Sequence, residues 1–273
     1  MISPDHHLNE ERRIEVTMNR NNPFAIHGIT HLSHSSINTW LTDPARFIAD
    51  KLFGVRDKGS ASMHRGTATE FGLSQKYTDE AWEIDLEVVG TKFEQLCQDD
   101  LIDVDDERRI KEKENLKEYC NILNKHFDFQ NMVDYQKKIE ITFDDLPVPL
   151  IGYIDFVFED TIIDLKTTGR MPSKPTDANK RQMALYHMAY PEHQCNVVYA
   201  SPKAYQTFLI DYEEIKYHQR QIKSVAFGLM KFLAISDDKE ELASIIHPNY
   251  DSWTWSDYYK EQSSKKIKQW SYK

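Results

Sequence analysis

The residues best placed to do chemistry lie in two short apolar stretches, Gly152-Tyr153-Ile154-Asp155-Phe156-Val157-Phe158 and Ile162-Ile163-Asp164-Leu165-Lys166-Thr167-Thr168. Side chains alternate faces along a strand, so Asp164 and Lys166 point the same way, with Asp155 in reach on the adjoining strand. Both stretches are otherwise apolar, as in strands covered on both faces. A carboxylate seated there is costly unless a cation or several donors compensate it. Two carboxylates beside one lysine exceed what a single ion pair neutralises, and a divalent metal resolves the mismatch. Hard cations such as Mg²⁺ accept a few carboxylates plus a substrate phosphate. An ion of this kind can activate water, hold a phosphate and offset charge on a leaving oxygen, while Lys166 orients the water or steadies the developing charge. The plainer alternative is a buried Asp–Lys pair in an ordinary sheet.

The elements that must position these groups read as a mixed α/β core. Lys137–Asp144, Leu150–Phe158 and Thr161–Thr168 are strands, and only Glu159-Asp160 separates the last two, which predicts an antiparallel hairpin. Thr176 caps a helix running to about Ala189, followed by strands Gln194–Ser201 and Ala204–Asp211 and a helix from Tyr212 to about Ile235. Upstream, His31–Phe53 is an opening helix that Ser33, Ser35 or Ser36 could cap and that Asp43-Pro44 breaks or restarts. A second helix begins near Met63, although Gly66 and Gly72 weaken it. Residues 79–126 are mostly helical and highly charged, with an interruption around Asp99–Asp106, and read as an insertion with solvated faces.

The chain has 273 residues, 40% hydrophobic and 12% aromatic, which is ample for a packed core and excludes disordered and disulfide-scaffold classes. No apolar run is long enough to span a bilayer. Met1 through Asn22 mixes Glu10, Glu11 and Glu15 with Arg12, Arg13 and Arg20, unlike a signal or transit peptide, so the expected location is cytoplasmic. Cys97, Cys120 and Cys195 form no CxxC pair and suit reduced thiols. The net charge of −10 argues superficially against nucleic acid, but residues 76–118 carry fifteen acidic and seven basic groups and so supply −8 of it. Lys260, Lys265, Lys266, Lys268 and Lys273 make the end basic, and phosphate contacts follow local potential rather than total charge.

Asp155 followed by Asp164-Leu165-Lys166 resembles the D…(D/E)xK signature of the PD-(D/E)xK nucleases, and GYIDF with IIDLKTT resembles the RecB-like exonuclease branch. Three further pieces fall in the expected order: the Leu32–Ile37 opening through Pro44 and Phe47, the helix Arg65-Gly66-Thr67-Ala68-Thr69-Glu70, and the pair Gln182 and Tyr186 in a QxxxY arrangement. The resemblance spans roughly residues 31–200. It implies a restriction-endonuclease-like core, a mixed central sheet flanked by helices with a helical insertion, in one nuclease domain over residues 1–273. Within it, residues 23–75 carry the first metal-ligand motif, 76–130 the acidic insertion, 137–235 the catalytic core and 246–273 an aromatic, basic tail.

The resemblance further implies that Glu70, Asp155, Asp164 and the backbone carbonyl of Leu165 hold one or two Mg²⁺ or Mn²⁺ ions, with Lys166, Gln182 and Tyr186 completing the site. Glu70 stands where many members of the branch carry histidine. Relatives with an iron–sulfur cluster place a cysteine immediately before the opening-helix proline. Asp43 stands there in this chain, and only Cys195 lies beyond residue 120, so no cluster is expected. Arg65, Thr167 and Thr168 are candidate DNA contacts; a surface arginine and ordinary strand threonines are the alternatives. Glu70 could equally be an exposed helical residue, and Gln182 and Tyr186 could simply pack. His31, His34 and His64 read as solvated or capping. Trp253, Trp255, Tyr258 and Tyr259 could stack bases, with packing of the tail favoured.

The implied activity is DNA phosphodiester hydrolysis with a metal-activated water, exonucleolytic by the branch resemblance. A structure- or site-specific endonuclease and a non-catalytic DNA-binding protein are the rivals. There is no GxxxxGK[ST] loop, so any unwinding falls to a helicase, recombination or replication partner. The aromatic, Trp-containing ending resembles phage-encoded relatives, which places the protein in a host cytoplasm if phage-encoded.

Overall fold

In the computed structural model residues 22–270 are described, and they fall into two compact units. One comprises residues up to 57, 140–152 and from 220 onward; the other comprises 58–139 and 153–219. Residues 1–21, with Glu10, Glu11, Glu15, Arg12, Arg13 and Arg20, and residues 271–273, with Lys273, lie outside the described residues. No helix among the described residues is long and apolar enough to cross a membrane.

The first unit opens with a short helix α1 (Pro23–Ile26), then α2 (His34–Thr42) and α3 (Pro44–Leu52). Of the three serines, Ser33 is the cap: its hydroxyl accepts from Ser36 N, and Ser36 Oγ accepts from Ser33 N at 2.7 Å. Asp43 is the break between α2 and α3. Its N–H donates to Thr39 O and its Oδ1 accepts from Arg46 N, while Oδ2 accepts from Trp255 Nε1 at 2.6 Å and Thr254 Oγ1 at 3.2 Å. Trp255 belongs to a packed tail in which helix α10 (Asp257–Lys266) and a 3₁₀ turn (Lys268–Trp270) bury Tyr259 and Trp270. Trp253 and Tyr258 face outward. The tail lysines are largely engaged: Lys266 donates to Gly54 O at 2.7 Å, capping the end of α3, and Lys265 pairs with Glu261. Asp43→Ala removes a helix cap and strands the Trp255 indole N–H. It should cost about 2–3 kcal/mol, read from the midpoint of a urea titration.

In the second unit, helices α4 (Ala61–Thr78), α5 (Leu86–Asp99) and α6 (Glu107–His126) precede most of the sheet. The strands of the sheet are β1 (Met132–Phe143), β2 (Leu146–Phe158), β3 (Thr161–Thr167), β4 (Gln194–Ser201) and β5 (Ala204–Leu209), in that spatial order, with α7 (Asp177–Ala189) between β3 and β4 in the chain; residues 140–152 of β1 and β2 belong to the first unit. β2 and β3 are antiparallel, β3 and β4 parallel, β4 and β5 antiparallel. The chain continues into α8 (Tyr212–Leu233) and α9 (Lys239–Ile245).

The fold is thus a mixed sheet flanked by helices. The acidic stretch is more than a solvated appendage. One face of α5 and α6 carries Val89, Phe93, Cys97, Leu116, Cys120 and Leu123 into a core shared with Phe156, Leu165 and Val198 of the sheet. The two glycines of α4 are where its neighbours come close. A Cβ at Gly72 would stand 2.2 Å from Val89 Cγ2, and one at Gly66 would stand 3.0 Å from Thr167 Oγ1. Two strands start earlier than their patterns predict. β2 begins at Leu146, and its Pro147 and Pro149 obscure the extended segment. β1 begins at Met132 and passes through Gln136 at φ +48°, which breaks the alternation that marks a strand. Cys97, Cys120 and Cys195 are all buried and free, and burial pushes the thiols of Cys120 and Cys195 up to about 12.

Candidate active site

Strand β3 places Leu165 in the apolar core and Asp164 with Lys166 on the opposite face, where α7 lies. Asp164 is fully buried. Its Oδ1 accepts from Lys166 Nζ at 2.8 Å, and its Oδ2 has no hydrogen-bond partner. Asp155 on β2 is 8% exposed, and its Oδ2 accepts from the Leu165 N–H at 2.9 Å. Glu70 reaches in from α4. The Gln136 side-chain amide donates to Glu70 Oε1 and, at 3.4 Å, to Asp155 Oδ1.

The electrostatics show how tightly these groups feel one another. Burial first, then Asp164 and Glu70, raise the Asp155 carboxyl well above the ordinary aspartate range. Burial likewise raises Glu70, with Asp164 adding to it and Lys166 and Gln136 opposing. Burial alone would depress Lys166, but Asp164, Asp155 and Glu70 outweigh it, and the ammonium is held more firmly than usual.

The raised Asp155 carboxyl links stability to pH with a definite sign. Its folded pKa exceeds the unfolded one, so the metal-free fold loses stability as pH rises from about 4, the ordinary aspartate value, through the raised value. Asp155→Asn should therefore be more stable than the parent at pH 8 in EDTA, by about 1.4 kcal/mol for each tenfold by which folding weakens the acid, and the gap should close below about pH 4. Thermal unfolding across that range tests it. A parent as stable as the variant at pH 8 would remove the account in which burial, with Asp164 and Glu70, raises the Asp155 carboxyl.

Gln182 and Tyr186 share one face of α7, and Gln182 Nε2 donates to Tyr186 Oη at 2.7 Å. Tyr186 is 1% exposed and donates to the carbonyl of Tyr153 at 2.6 Å, two residues before Asp155. This pair therefore fixes the strand that carries Asp155. Arg65 is buried, stacked 4.5 Å over the Tyr119 ring, paired with Glu112, and bonded at 3.3 Å to both oxygens of Thr167. The Thr168 hydroxyl donates to Arg170 O, closing a turn, and Tyr119 Oη donates to Thr168 O. His64 pairs with Asp100 at 2.9 Å. A cleft of about 340 Å³ opens between Ser62, Met63, Arg65, Gly66 and Glu70 on one side and Leu165, Lys166 and Thr167 on the other.

A partnerless oxygen on a fully buried carboxylate is expensive. Glu70, Asp155 and Asp164 lie near enough to shift one another's protonation, and oxygen donors of this kind suit a hard divalent cation. Among the described residues, no group of three or more His, Cys, Asp or Glu side chains is placed so that it could hold a metal ion. The Gln136 amide, bonded to both Glu70 and Asp155, stands between two of the three. Gln136, Glu112 and Tyr119 escape a reading by motif, since no spacing in the chain links them to the strands of Asp155 and Asp164.

A model of the PD-(D/E)XK nuclease superfamily matches residues 31–269. The chain belongs to that superfamily. This PD-(D/E)XK protein matches no curated protein. Among solved structures it resembles a protein from Eubacterium rectale described as a "Putative exonuclease", with a TM-score of 0.54 and 11% identity over 87% of this chain and 88% of that one. At that identity the likeness speaks to fold alone. The structure of SSO0001 overlaps with a TM-score of 0.29 and 12% identity over 70% of this chain and 82% of that one, and supports no argument.

Proposed function

We propose that the protein is a Mg²⁺- or Mn²⁺-dependent DNA exonuclease of the RecB-like branch. The observation that carries this reading is the fully buried Asp164, with one oxygen on Lys166 and the other unsatisfied, beside Asp155 and Glu70. Glu70, Asp155 and Asp164 would hold the cation, with the Leu165 carbonyl as a further ligand. When bound, the ion supplies Lewis-acid stabilisation of phosphate charge and lowers the pKa of water. Lys166 lines the cleft and keeps its proton, so it serves as a positive donor to water or to a phosphate oxygen. Tyr186 and Gln182 hold β2, and hence Asp155, in place. Arg65 ties the end of β3 to α4 and borders the cleft, and Thr167 beside it supplies a hydroxyl there.

Exonuclease action is supported by the branch resemblance of GYIDF, IIDLKTT and the Gln182–Tyr186 pair. Digestion of end-labelled linear single- and double-stranded DNA beside covalently closed circles, with Mg²⁺ or Mn²⁺, tests it. The expected result is release of mononucleotides or short oligonucleotides from linear DNA at the earliest times, with circles intact. Nicked or linearised circles would make the protein an endonuclease of the same chemistry, and DNA bound without cleavage would make it a binding protein.

A further inference from the structure

Gln136 sits in the middle of β1 at φ +48°, a left-handed conformation uncommon for any residue but glycine, and within a strand it re-aims the side chain. The amide so aimed donates to Glu70 Oε1 and to Asp155 Oδ1 at 3.4 Å. A primary amide has two N–H donors, and both acceptors are carboxylates that the proposed function assigns to the cation. The second oxygen of Asp155 is already taken by the Leu165 N–H. A cation that approaches Asp155 through Oδ1, or bridges Oδ1 to Glu70 Oε1, therefore competes with the Gln136 amide for those oxygens.

We propose that Gln136 is a positioning residue that stands in for the metal ion, so that metal binding is an exchange in which the ion displaces the amide from between Glu70 and Asp155. This inference rests on the metal-site reading above. In the metal-free protein the amide offsets part of the repulsion between the buried Asp155 and the half-buried Glu70. It also holds them near one another, on strand and helix, before an ion arrives. The same bonds must be broken on loading, so the residue lowers metal affinity while it stabilises the unloaded fold. A residue that merely packed would leave metal affinity alone, and one that ligated the ion would raise it.

The test is Mn²⁺ titration of the full chain, followed by electron paramagnetic resonance of the free ion, for the parent, Gln136→Gly and Gln136→Met. Glycine accepts the backbone conformation at this position, and methionine keeps the side-chain length without the donors. Both variants should bind Mn²⁺ more tightly, on the order of tenfold, since charge-assisted hydrogen bonds no longer compete with the ion. Both should also melt lower than the parent in EDTA. Unchanged or weaker Mn²⁺ affinity in the two variants, with normal binding by the parent, overturns this inference alone. Absence of binding by the parent, or binding that survives Asp164→Asn, overturns the metal site itself and this inference with it.

Discussion

Asp164→Asn should lower DNA hydrolysis by about 10³-fold or more while the protein still melts in one cooperative transition in EDTA. The expectation follows from where the two oxygens go. Oδ1 accepts from Lys166 at 2.8 Å, and an asparagine oxygen can keep that contact. Oδ2 is buried without a partner, so the fold draws no bond from it and an amide nitrogen there displaces nothing. What disappears is the negative charge that, with Glu70 and Asp155, would hold the ion. A variant that kept a tenth or more of the parent's rate would remove Asp164 from the chemistry. Loss of activity together with loss of fold would not support the assignment, which is why the melting transition belongs to the prediction.

Lys166→Met should act on both stability and rate. Its ammonium is the cation paired with Asp164, and removing one partner of a buried pair costs about 3–5 kcal/mol because the other charge is left uncompensated. A bound divalent ion can compensate Asp164 in its place. The variant should therefore unfold at markedly lower denaturant than the parent in EDTA, and saturating Mn²⁺ should recover much of the difference. Hydrolysis, by contrast, should stay low, by about 10²–10³-fold, since the lost donor faces the cleft where negative charge develops. Stability that ignores Mn²⁺, or activity that recovers with it, would contradict the two roles assigned to this side chain.

The strands that carry Asp155, Asp164 and Lys166 are legible in the sequence because their signal is local. Alternation puts Asp164 and Lys166 on one face, Glu159-Asp160 sets the hairpin, and Thr176 caps α7, each within a few residues of its effect. The acidic helices are half legible. Their charges mark the outer faces, while Val89, Phe93, Cys97, Leu116 and Leu123 are spaced for a sheet that lies far off in the chain. Arg65 illustrates the same limit. Its place near a helix start reads as a phosphate contact, yet its guanidinium is buried against Tyr119 and Glu112, forty or more residues away. Gln136 is illegible for a sharper reason. The left-handed turn of backbone that aims it interrupts the strand pattern, so the feature that gives the residue its role also hides the strand that carries it.

Anomalous diffraction from crystals grown with Mn²⁺ bears most directly on whether a cation completes the cluster. The expected result is a peak in contact with Asp164 Oδ2, shared with Asp155 and Glu70, and the Gln136 amide turned away from them. A structure in Mn²⁺ with no peak at that oxygen, and with Gln136 still bonded to both carboxylates, would contradict a metal-completed site.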